Sequence, residues 1–292
     1  MAARPIPAKV PAMRVAVEYA LRKLVVAHDA SAASARALND AIFLAKKFKS
    51  EILVAHIESM GDEVFREESA DDHIDLGTVG SLLTADGIKN REILRAGVVG
   101  DALFNICCDE HVDLLLLGAY GYGPQDRSTL GSTAENLLRA IPCPALTYGP
   151  SVTSSLSSIG DNGPILVPIS LPSNDAELQQ AIAIAKLFGA KLELLHVEDL
   201  GGISDLPRDV RDTEQDWGEL TSRLRGEGVS LGWSVLRGRP VEVILGRSLE
   251  LDSPFILMPL RWGERLSSMT SDNVGAHVIR SSKVPVMTYR VE

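Results

Sequence analysis

The sequence predicts an α/β protein built from two tandem copies of one unit, each a five-stranded parallel sheet flanked by helices. Apolar runs typical of strands alternate with helical patterns, the arrangement that produces a parallel sheet covered on both faces. The segment AIFLAKKFKSEILVAHIE (41–58) recurs as AIAIAKLFGAKLELLHVE (181–198), at an offset of 181 − 41 = 140 without a gap. RAIPCPALTYGP (139–150) recurs as RSSKVPVMTYRV (280–291), at an offset of 280 − 139 = 141. Two copies of the unit therefore fill most of the chain.

The first copy opens with KLVVAHD (23–29), a β-branched run that ends in polar residues and is predicted to be the first strand. ASARALNDAIFLAKKF (33–48) follows, with Ala and Leu at helical spacing, and EILVAHI (51–57) is the second strand. Residues 59–86 are acidic and irregular, with room for a helix.

The rest of the first copy repeats the alternation of strand and helix. REILRAG (91–97) is the third strand and DALFNICCDEH (101–111) a helix. DLLLLGA (113–119) is apolar throughout, as a strand buried on both faces should be, and is the fourth. A helix over 132–138 and a fifth strand, CPALTYG (143–149), complete the unit. Ligands of such sheets bind at the carboxyl ends of the strands.

The segment GPSVTSSLSSIGDNGP (149–164) separates the copies, and its Ser, Gly and Pro content predicts a flexible connector. We therefore divide the chain into an N-terminal extension (1–20), a first domain (21–150), a linker (151–163) and a second domain (164–292).

The overall composition argues against a nucleic-acid surface, a membrane span and a signal peptide. Lys and Arg number 29 against 39 Asp and Glu, a formal charge of −10, which argues against a nucleic-acid surface. The chain has no 18-residue apolar run, so no membrane span is predicted, and the N-terminus has no apolar core typical of a signal peptide. Three cysteines without CxxC spacing indicate reduced thiols in a cytoplasmic protein.

The stretch GAYGYGPQDRSTLGST (118–133) follows the fourth strand, at the edge where a ligand is expected. It is neither a P-loop nor a dinucleotide fingerprint, but it spaces Gly118, Gly121, Gly131 and Ser132 as G-x2-G-x9-G-S. Glycines let a backbone approach a phosphate, and free N–H groups at the start of the last helix favour an anion. The alternative is an ordinary helix start, because residues 132–135 also fit a capping box.

Together with this motif, three segments carry a family resemblance: VVAHDAS with Asp29, VAHIE with His56, and PCPALTY. The chain resembles the universal stress protein family in its tandem form, and its first copy resembles the nucleotide-binding branch. The resemblance implies a Rossmann-like fold of the adenine-nucleotide alpha-hydrolase-like kind. It also implies that the copies pair through their last strands, LTYG (146–149) and VMTYR (286–290), about a pseudo-twofold axis.

The resemblance further implies that the first copy binds ATP, with Mg²⁺ as a possible companion. Ala27 and Asp29 would line the adenosine and metal side, with Asp29 reaching the metal through Mg-ATP. Ile57 would meet adenine through its backbone. The residues around ribose and phosphates would be Gly118, Tyr120, Gly121, Gly131, Ser132 and Thr133. Ala134 departs from the hydroxyl residue of many members, which removes one possible phosphate contact.

Several candidates have plainer interpretations. Asp29 could cap the following helix. His56 recurs as His196 in a copy unsuited to nucleotide, which favours a structural role over catalysis. Residues 71–73, Asp-Asp-His, look like a metal cluster but are typical of a solvated acidic loop, and Arg127 could face a phosphate or solvent.

The second copy has lost the motif. Gly118, Gly121, Gly131, Ser132 and Asp29 correspond to Pro259, Trp262, Asp272, Asn273 and Ser170. A proline has no N–H to donate, a tryptophan fills the space of a glycine, and an aspartate repels phosphate. We predict that this copy does not bind ATP in the same way.

The sequence thus predicts a nucleotide-responsive stress or signalling regulator that has an unidentified protein partner and forms a homodimer of tandem chains. A slow ATPase is one alternative, although no general base with an orienting partner is evident. A nucleotide-free dimerisation scaffold is the other, and the intact glycines of the first copy argue against it.

Overall fold

The computed structural model describes residues 20–58, 76–120, 134, 137–138, 140–159, 163–170, 175–199, 217, 228–261 and 274–291. Gly121, Gly131, Ser132, Thr133, Arg127 and residues 71–73, all singled out above, lie outside these ranges, as do Trp262, Asp272 and Asn273.

Ten strands form one continuous sheet, in the order β3-β2-β1-β4-β5-β10-β9-β6-β7-β8. The first half contributes β1 Lys23–Ala27, β2 Glu51–Glu58, β3 Asn90–Ala96, β4 Leu114–Gly118 and β5 Ala145–Tyr148. The second contributes β6 Ile165–Pro168, β7 Leu192–Glu198, β8 Leu231–Arg237, β9 Ile256–Arg261 and β10 Val286–Val291. Neighbours within each half are parallel. The predicted fold, two five-stranded parallel units in tandem, is confirmed.

Helices connect the strands on both faces of the sheet. In the first half they are α1 Ala32–Phe48, α2 Leu76–Ala85 and α3 Val99–Asp109. In the second half they are α4 Asp175–Phe188, α5 Pro240–Glu250 and α6 Val274–Ser281. Residues 134, 137, 138 and 140 are also helical, between β4 and β5, where the sequence predicts a last helix. No helix in the described ranges is both long enough and apolar enough to cross a membrane.

The two halves meet through the antiparallel pair β5–β10. Leu146 lies opposite Met287, and 287 − 146 = 141 is the offset of the repeat, so these two residues occupy equivalent positions. Thr147 faces Val286 and Ala145 faces Thr288, symmetrically on either side. The pseudo-twofold axis therefore passes through the Leu146–Met287 pair, and the predicted pairing of the last strands is confirmed.

The apolar core consists of two layers, one on each face of the sheet, and each layer contains residues of both halves. Alternate residues of β1 divide between them: Leu24 belongs to one layer and Val25 to the other. Phe48 of α1 contacts Phe188 of α4 edge to face, with ring centroids 5.8 Å apart. The halves are thus parts of one packed body rather than separate domains joined by a tether.

The sequence predicted a flexible connector, and this prediction is wrong for residues 151–159, which are packed onto the first half. Val152 and Leu156 are fully buried, and residues Leu156–Ser158 form a 3₁₀ turn. The buried carboxylate of Asp40, on α1, accepts hydrogen bonds from Ser155 Oγ (2.5 Å) and from the Leu156 backbone N–H (3.0 Å). The polar composition of the connector suggested mobility. Its backbone is held instead by two buried apolar side chains and by hydrogen bonds to the buried Asp40 carboxylate.

Candidate functional site

The candidate site is the edge of the sheet where the parallel strands of the first half end. Ala27 ends β1 and pairs with Ala55 of β2, while Gly118 ends β4 next to Tyr148. The loops that follow β1 and β4 therefore start side by side. Of the predicted site residues, the structure brings Ala27, Asp29, Ile57, Gly118 and Tyr120 to this edge.

The loop between β1 and α1 is held in a defined shape. The Asp29 carboxylate accepts a hydrogen bond from the Ser31 backbone N–H, with Oδ1 and N 3.0 Å apart. Ala30 turns the chain with a φ of 61°, in the left-handed region. Ser31 Oγ then accepts the Ser34 backbone N–H at 3.1 Å, so Ser31 rather than Asp29 caps the helix. Asp29 is therefore not the cap, and within the described ranges its carboxylate accepts the Ser31 N–H and no other hydrogen bond.

Gly118 packs closely against the start of α1. A side-chain Cβ at this position would lie 3.1 Å from the Ala33 Cβ and 3.2 Å from the Tyr120 carbonyl oxygen. The following residue, Ala119, donates its N–H to the Tyr148 carbonyl at 2.9 Å. The first glycine of the motif therefore has a packing role that the sequence does not reveal: it keeps the end of β4 and the first turn of α1 in contact.

His56 links the ends of β1 and β2. Its Nδ1 lies 2.9 Å from the His28 carbonyl oxygen, and because a carbonyl only accepts, His56 carries its proton on Nδ1. His196 of the second half makes the same contact, with Nδ1 3.2 Å from the Ile169 carbonyl oxygen. A bond repeated in both halves supports the structural role predicted for His56.

His28 is a site residue that the sequence reasoning missed. Burial lowers the pKa of its imidazole, an effect that nearby His56 strengthens and the Asp29 carboxylate opposes. Its Nδ1 is buried and has no hydrogen-bond partner in the described part of the chain. The sequence offered one signal for His28, its position between the end of a strand and an aspartate. No motif includes it.

The edge of the sheet in the first half combines several kinds of polar group. Backbone groups, a carboxylate and a neutral imidazole meet here, yet in the described ranges no nucleophile lies beside a general base that a third group orients. No cluster of three or more metal-ligating side chains is found in those ranges either.

In the second half, the same edge is built from different residues. Ser170 stands in the position of Asp29, so no carboxylate follows β6. Pro259 stands in the position of Gly118, within β9, where it pairs with Tyr289 of β10. The strands are retained while the polar groups at their ends have changed.

Comparison with known proteins identifies the family. A model described as the universal stress protein family matches the chain twice, over residues 20–148 and 162–290. The chain belongs to the universal stress protein family. The two matches correspond to the two halves of the sheet, so the protein is a tandem member.

Individual relatives of this universal stress protein are distant. A universal stress protein of Synechocystis sp. is 30% identical over 128 residues, which is 44% of this chain and 42% of that protein. One from Methanocaldococcus jannaschii is 24% identical over 143 residues, 44% of this chain and 82% of the relative. The match to the Synechocystis protein thus spans less than half of its length.

A solved structure shares the whole tandem fold. The universal stress protein from Archaeoglobus fulgidus DSM 4304 has a TM-score of 0.69 at 22% identity, covering 94% of this chain and 98% of that chain. At this identity the likeness concerns the fold alone.

Proposed function

We propose that the first half binds an adenine nucleotide, with ATP the leading candidate, at the carboxyl edge of its sheet. The protein would act as a nucleotide-responsive stress or signalling regulator through a protein partner. The observation that carries the proposal is the Asp29 carboxylate, which the Ser31 N–H holds just after β1, beside the strand from which the glycine-spaced stretch begins. The natural partner of such a carboxylate oxygen is a ribose hydroxyl, or a metal ion that also binds phosphate.

The burial of Ile57 supports its proposed part in adenine recognition. Its side chain is 7% exposed and packs in the core, so any contact with a ligand must come from its backbone. Ile57 lies on β2 two residues beyond Ala55, the partner of Ala27, and this position would place its backbone beside the adenosine. Tyr120, two residues after Gly118, and Gly121, Gly131, Ser132 and Thr133 complete the proposal on the strength of the motif alone.

Mg²⁺ fits this site only as a companion of the nucleotide. The proposed site contributes one carboxylate ligand, Asp29, whereas Mg²⁺ prefers six oxygen ligands and keeps several waters. Phosphate oxygens and water would therefore supply most of its coordination, with Asp29 as one ligand.

The test is to purify the protein, denature it and analyse released nucleotide, then titrate ATP with Mg²⁺ calorimetrically. Two variants copy the second half into the first: Asp29→Ser introduces the residue found at Ser170, and Gly121→Trp the one found at Trp262. Each should weaken binding by about tenfold or more, since a charge-assisted hydrogen bond is worth about 1.5–3 kcal/mol. Ser170→Ala in the second half is the matched control and should leave affinity unchanged.

Two outcomes would replace the proposal. No copurified nucleotide and no heat at millimolar ATP would leave the dimerisation scaffold. Phosphate release that Asp29→Ala abolishes without weakening binding would favour the slow ATPase.

The oligomeric state and location are further parts of the proposal. Both last strands are paired within the chain, so a homodimer of tandem chains would need a different surface, and light scattering on the purified protein measures it. Free cysteines support a cytoplasmic location.

A further inference from the structure

The two outer edges of the ten-stranded sheet are formed by equivalent strands, β3 and β8. Asn90–Ala96 of β3 correspond to Leu231–Arg237 of β8 at the repeat offset, since 231 − 90 = 141. Among the described residues, no strand pairs with the outer side of either one. An unpaired strand edge presents N–H and C=O groups with which a further strand can pair.

The two edges differ in charge. β3 reads NREILRA and has three exposed charged residues, Arg91, Glu92 and Arg95. β8 reads LGWSVLR and has a single charged residue, Arg237, at its last position. Charged side chains are one of the means by which proteins keep an edge strand from pairing with another molecule. By this criterion β3 is protected and β8 is not.

Apolar residues stand in β8 where β3 has charges. Trp233 corresponds to Glu92, and Leu236 corresponds to Arg95. The Trp233 ring stacks on Trp217, with ring centroids 5.1 Å apart, yet Trp233 remains 45% exposed. A large aromatic side chain of this kind is typical of the centre of a protein interface.

The backbone hydrogen bonds of β8 show which of its groups face outward. The Ser230 carbonyl accepts the Leu192 N–H at 2.9 Å, and the Gly238 N–H donates to the Glu198 carbonyl at 3.1 Å. Because alternate residues of a strand bond to the same neighbour, the even-numbered residues of β8 bond to β7. The backbone groups of the odd-numbered residues therefore point to the open edge; these residues are Leu231, Trp233, Val235 and Arg237.

We propose that β8 pairs with β8 of a second copy of this chain, antiparallel and centred on Ser234, so that two molecules share one continuous sheet. The halves of this chain already join through an antiparallel pair of equivalent strands, β5 and β10. The proposed pair repeats that arrangement at the other end of the second half. It rests on the homodimer of the proposed function and needs no nucleotide.

The sequence of β8 is complementary to itself in this register. Trp233 of each copy lies opposite Val235 of the other, a favourable pair of an aromatic and a β-branched residue. Arg237 lies opposite Leu231, so the two guanidinium groups stand at opposite ends of the pair. The two Ser234 side chains face each other. The Oγ of Ser234 is buried and has no hydrogen-bond partner in the described part of the chain, and the second copy would supply one.

The same arrangement does not suit β3. A pair of β3 strands centred on Ile93, the counterpart of Ser234, would place Arg91 of each copy opposite Arg95 of the other. Like charges directly opposite each other destabilise a strand pair. A second copy therefore fits one edge of the sheet, and the product is a closed dimer with twofold symmetry, not an open filament.

A disulfide introduced at the centre of the pair tests the surface and its register. The variants are made in Cys108→Ser, which lacks the exposed native thiol. Ser234→Cys would place two sulfur atoms opposite each other in a non-hydrogen-bonded pair, with Cα atoms about 4.5 Å apart, which a disulfide can bridge. Under mild oxidation with copper phenanthroline, this variant should run at the mass of two chains on a non-reducing gel.

Leu236→Cys is the matched control for the register. Position 236 lies on the same face of β8 as position 234, but its two copies would be four residues apart along the pair, about 14 Å. A disulfide cannot bridge that distance, so Leu236→Cys should run as a single chain.

Light scattering on the full chain gives the second readout. The wild type should have the mass of two chains. Trp233→Glu, which copies Glu92 of β3, should have the mass of one, because the dimer would bury its charge against Val235. Leu94→Glu is the control at the other edge, where an exposed leucine also lies on the outer strand, and it should leave the dimer intact.

Each outcome has a definite consequence. A dimer that Ser234→Cys links and Leu236→Cys does not would support the inference. A monomeric wild type would overturn it together with the homodimer and would leave the β8 edge to a strand of another protein, while the nucleotide proposal would stand. A dimer that persists in Trp233→Glu, or that Leu236→Cys links equally well, would overturn the β8 surface alone.

Discussion

The two halves of this protein share a scaffold and differ in the polar groups set into it. Each half has five parallel strands and a histidine that bonds the carbonyl after its first strand, His56 in one and His196 in the other. The Asp29 carboxylate of the first half has become Ser170, and Gly118 has become Pro259. The histidine bond is present in both halves and the carboxylate in only one, which supports a structural role for the histidine.

The interiors of the halves differ as well, around one position of the first helix. Asp40 of α1 accepts three hydrogen bonds, from Tyr148 Oη at 2.7 Å, Ser155 Oγ and the Leu156 N–H. Its counterpart is Gln180, whose Oε1 is buried and has no hydrogen-bond partner in the described ranges. Of these two equivalent positions, only that of the first half has a carboxylate, and this carboxylate holds the connector.

Removing the tyrosine hydroxyl in each half should have the largest effect on the free energy of unfolding. These two variants should also show the difference between the halves most clearly. In Tyr148→Phe the buried Asp40 carboxylate loses a donor, which should lower the free energy of unfolding by about 1.5–3 kcal/mol. In Tyr289→Phe a neutral bond to the Glu177 carbonyl is lost, and about 0.5–1.5 kcal/mol is expected. Chemical denaturation measures both values. Equal losses would show that the charge of Asp40 contributes nothing extra.

The contacts of Asp40 are also the part of the structure that the sequence could not predict. Apolar runs, helical spacing and the 140-residue repeat are local or periodic signals, and they predicted every strand of the first half. The position of Asp29 at a strand end likewise predicted its place at the candidate site. The partners of Asp40, however, lie 108 to 116 residues away, and no local pattern encodes contacts at that separation. The connector was predicted to be flexible for the same reason.

The pH dependence of stability should sharpen the comparison further. Burial raises the pKa of Asp40 above its ordinary value, although the bonds from Ser155, Tyr148 and Leu156 oppose the shift. The folded state therefore binds this proton more tightly than the unfolded state does. The resulting stabilisation is fully present below the ordinary pKa of an aspartate, and it is lost as pH rises through the raised pKa of the folded state.

Denaturation of the wild type and of Asp40→Asn across the acidic pH range measures this contribution. The difference in unfolding free energy should shift in favour of the variant as pH rises, because an amide carries no charge to desolvate. Gln180→Glu is the matched change in the second half. It introduces a carboxyl where the Gln180 oxygen has no described donor, so the difference should shift against this variant as pH rises, and by a larger amount. A flat difference for Asp40→Asn would contradict the raised pKa.

The smallest effect expected in the first half is at the C-terminal end of α1, where the second half has a different residue. Lys49 follows α1 with a φ of 58°, and the residue at the equivalent position after α4, Gly189, has a φ of 66°. The halves thus share a left-handed turn, but only the second fills it with the residue that adopts it without steric cost. Lys49→Gly should raise the free energy of unfolding by up to about 1 kcal/mol, and Gly189→Lys should lower it by about 1–2 kcal/mol. Denaturation of both variants and of the double exchange measures this. If Lys49→Gly were destabilising, the Lys49 side chain would have to contribute more at this helix end than the left-handed backbone turn costs.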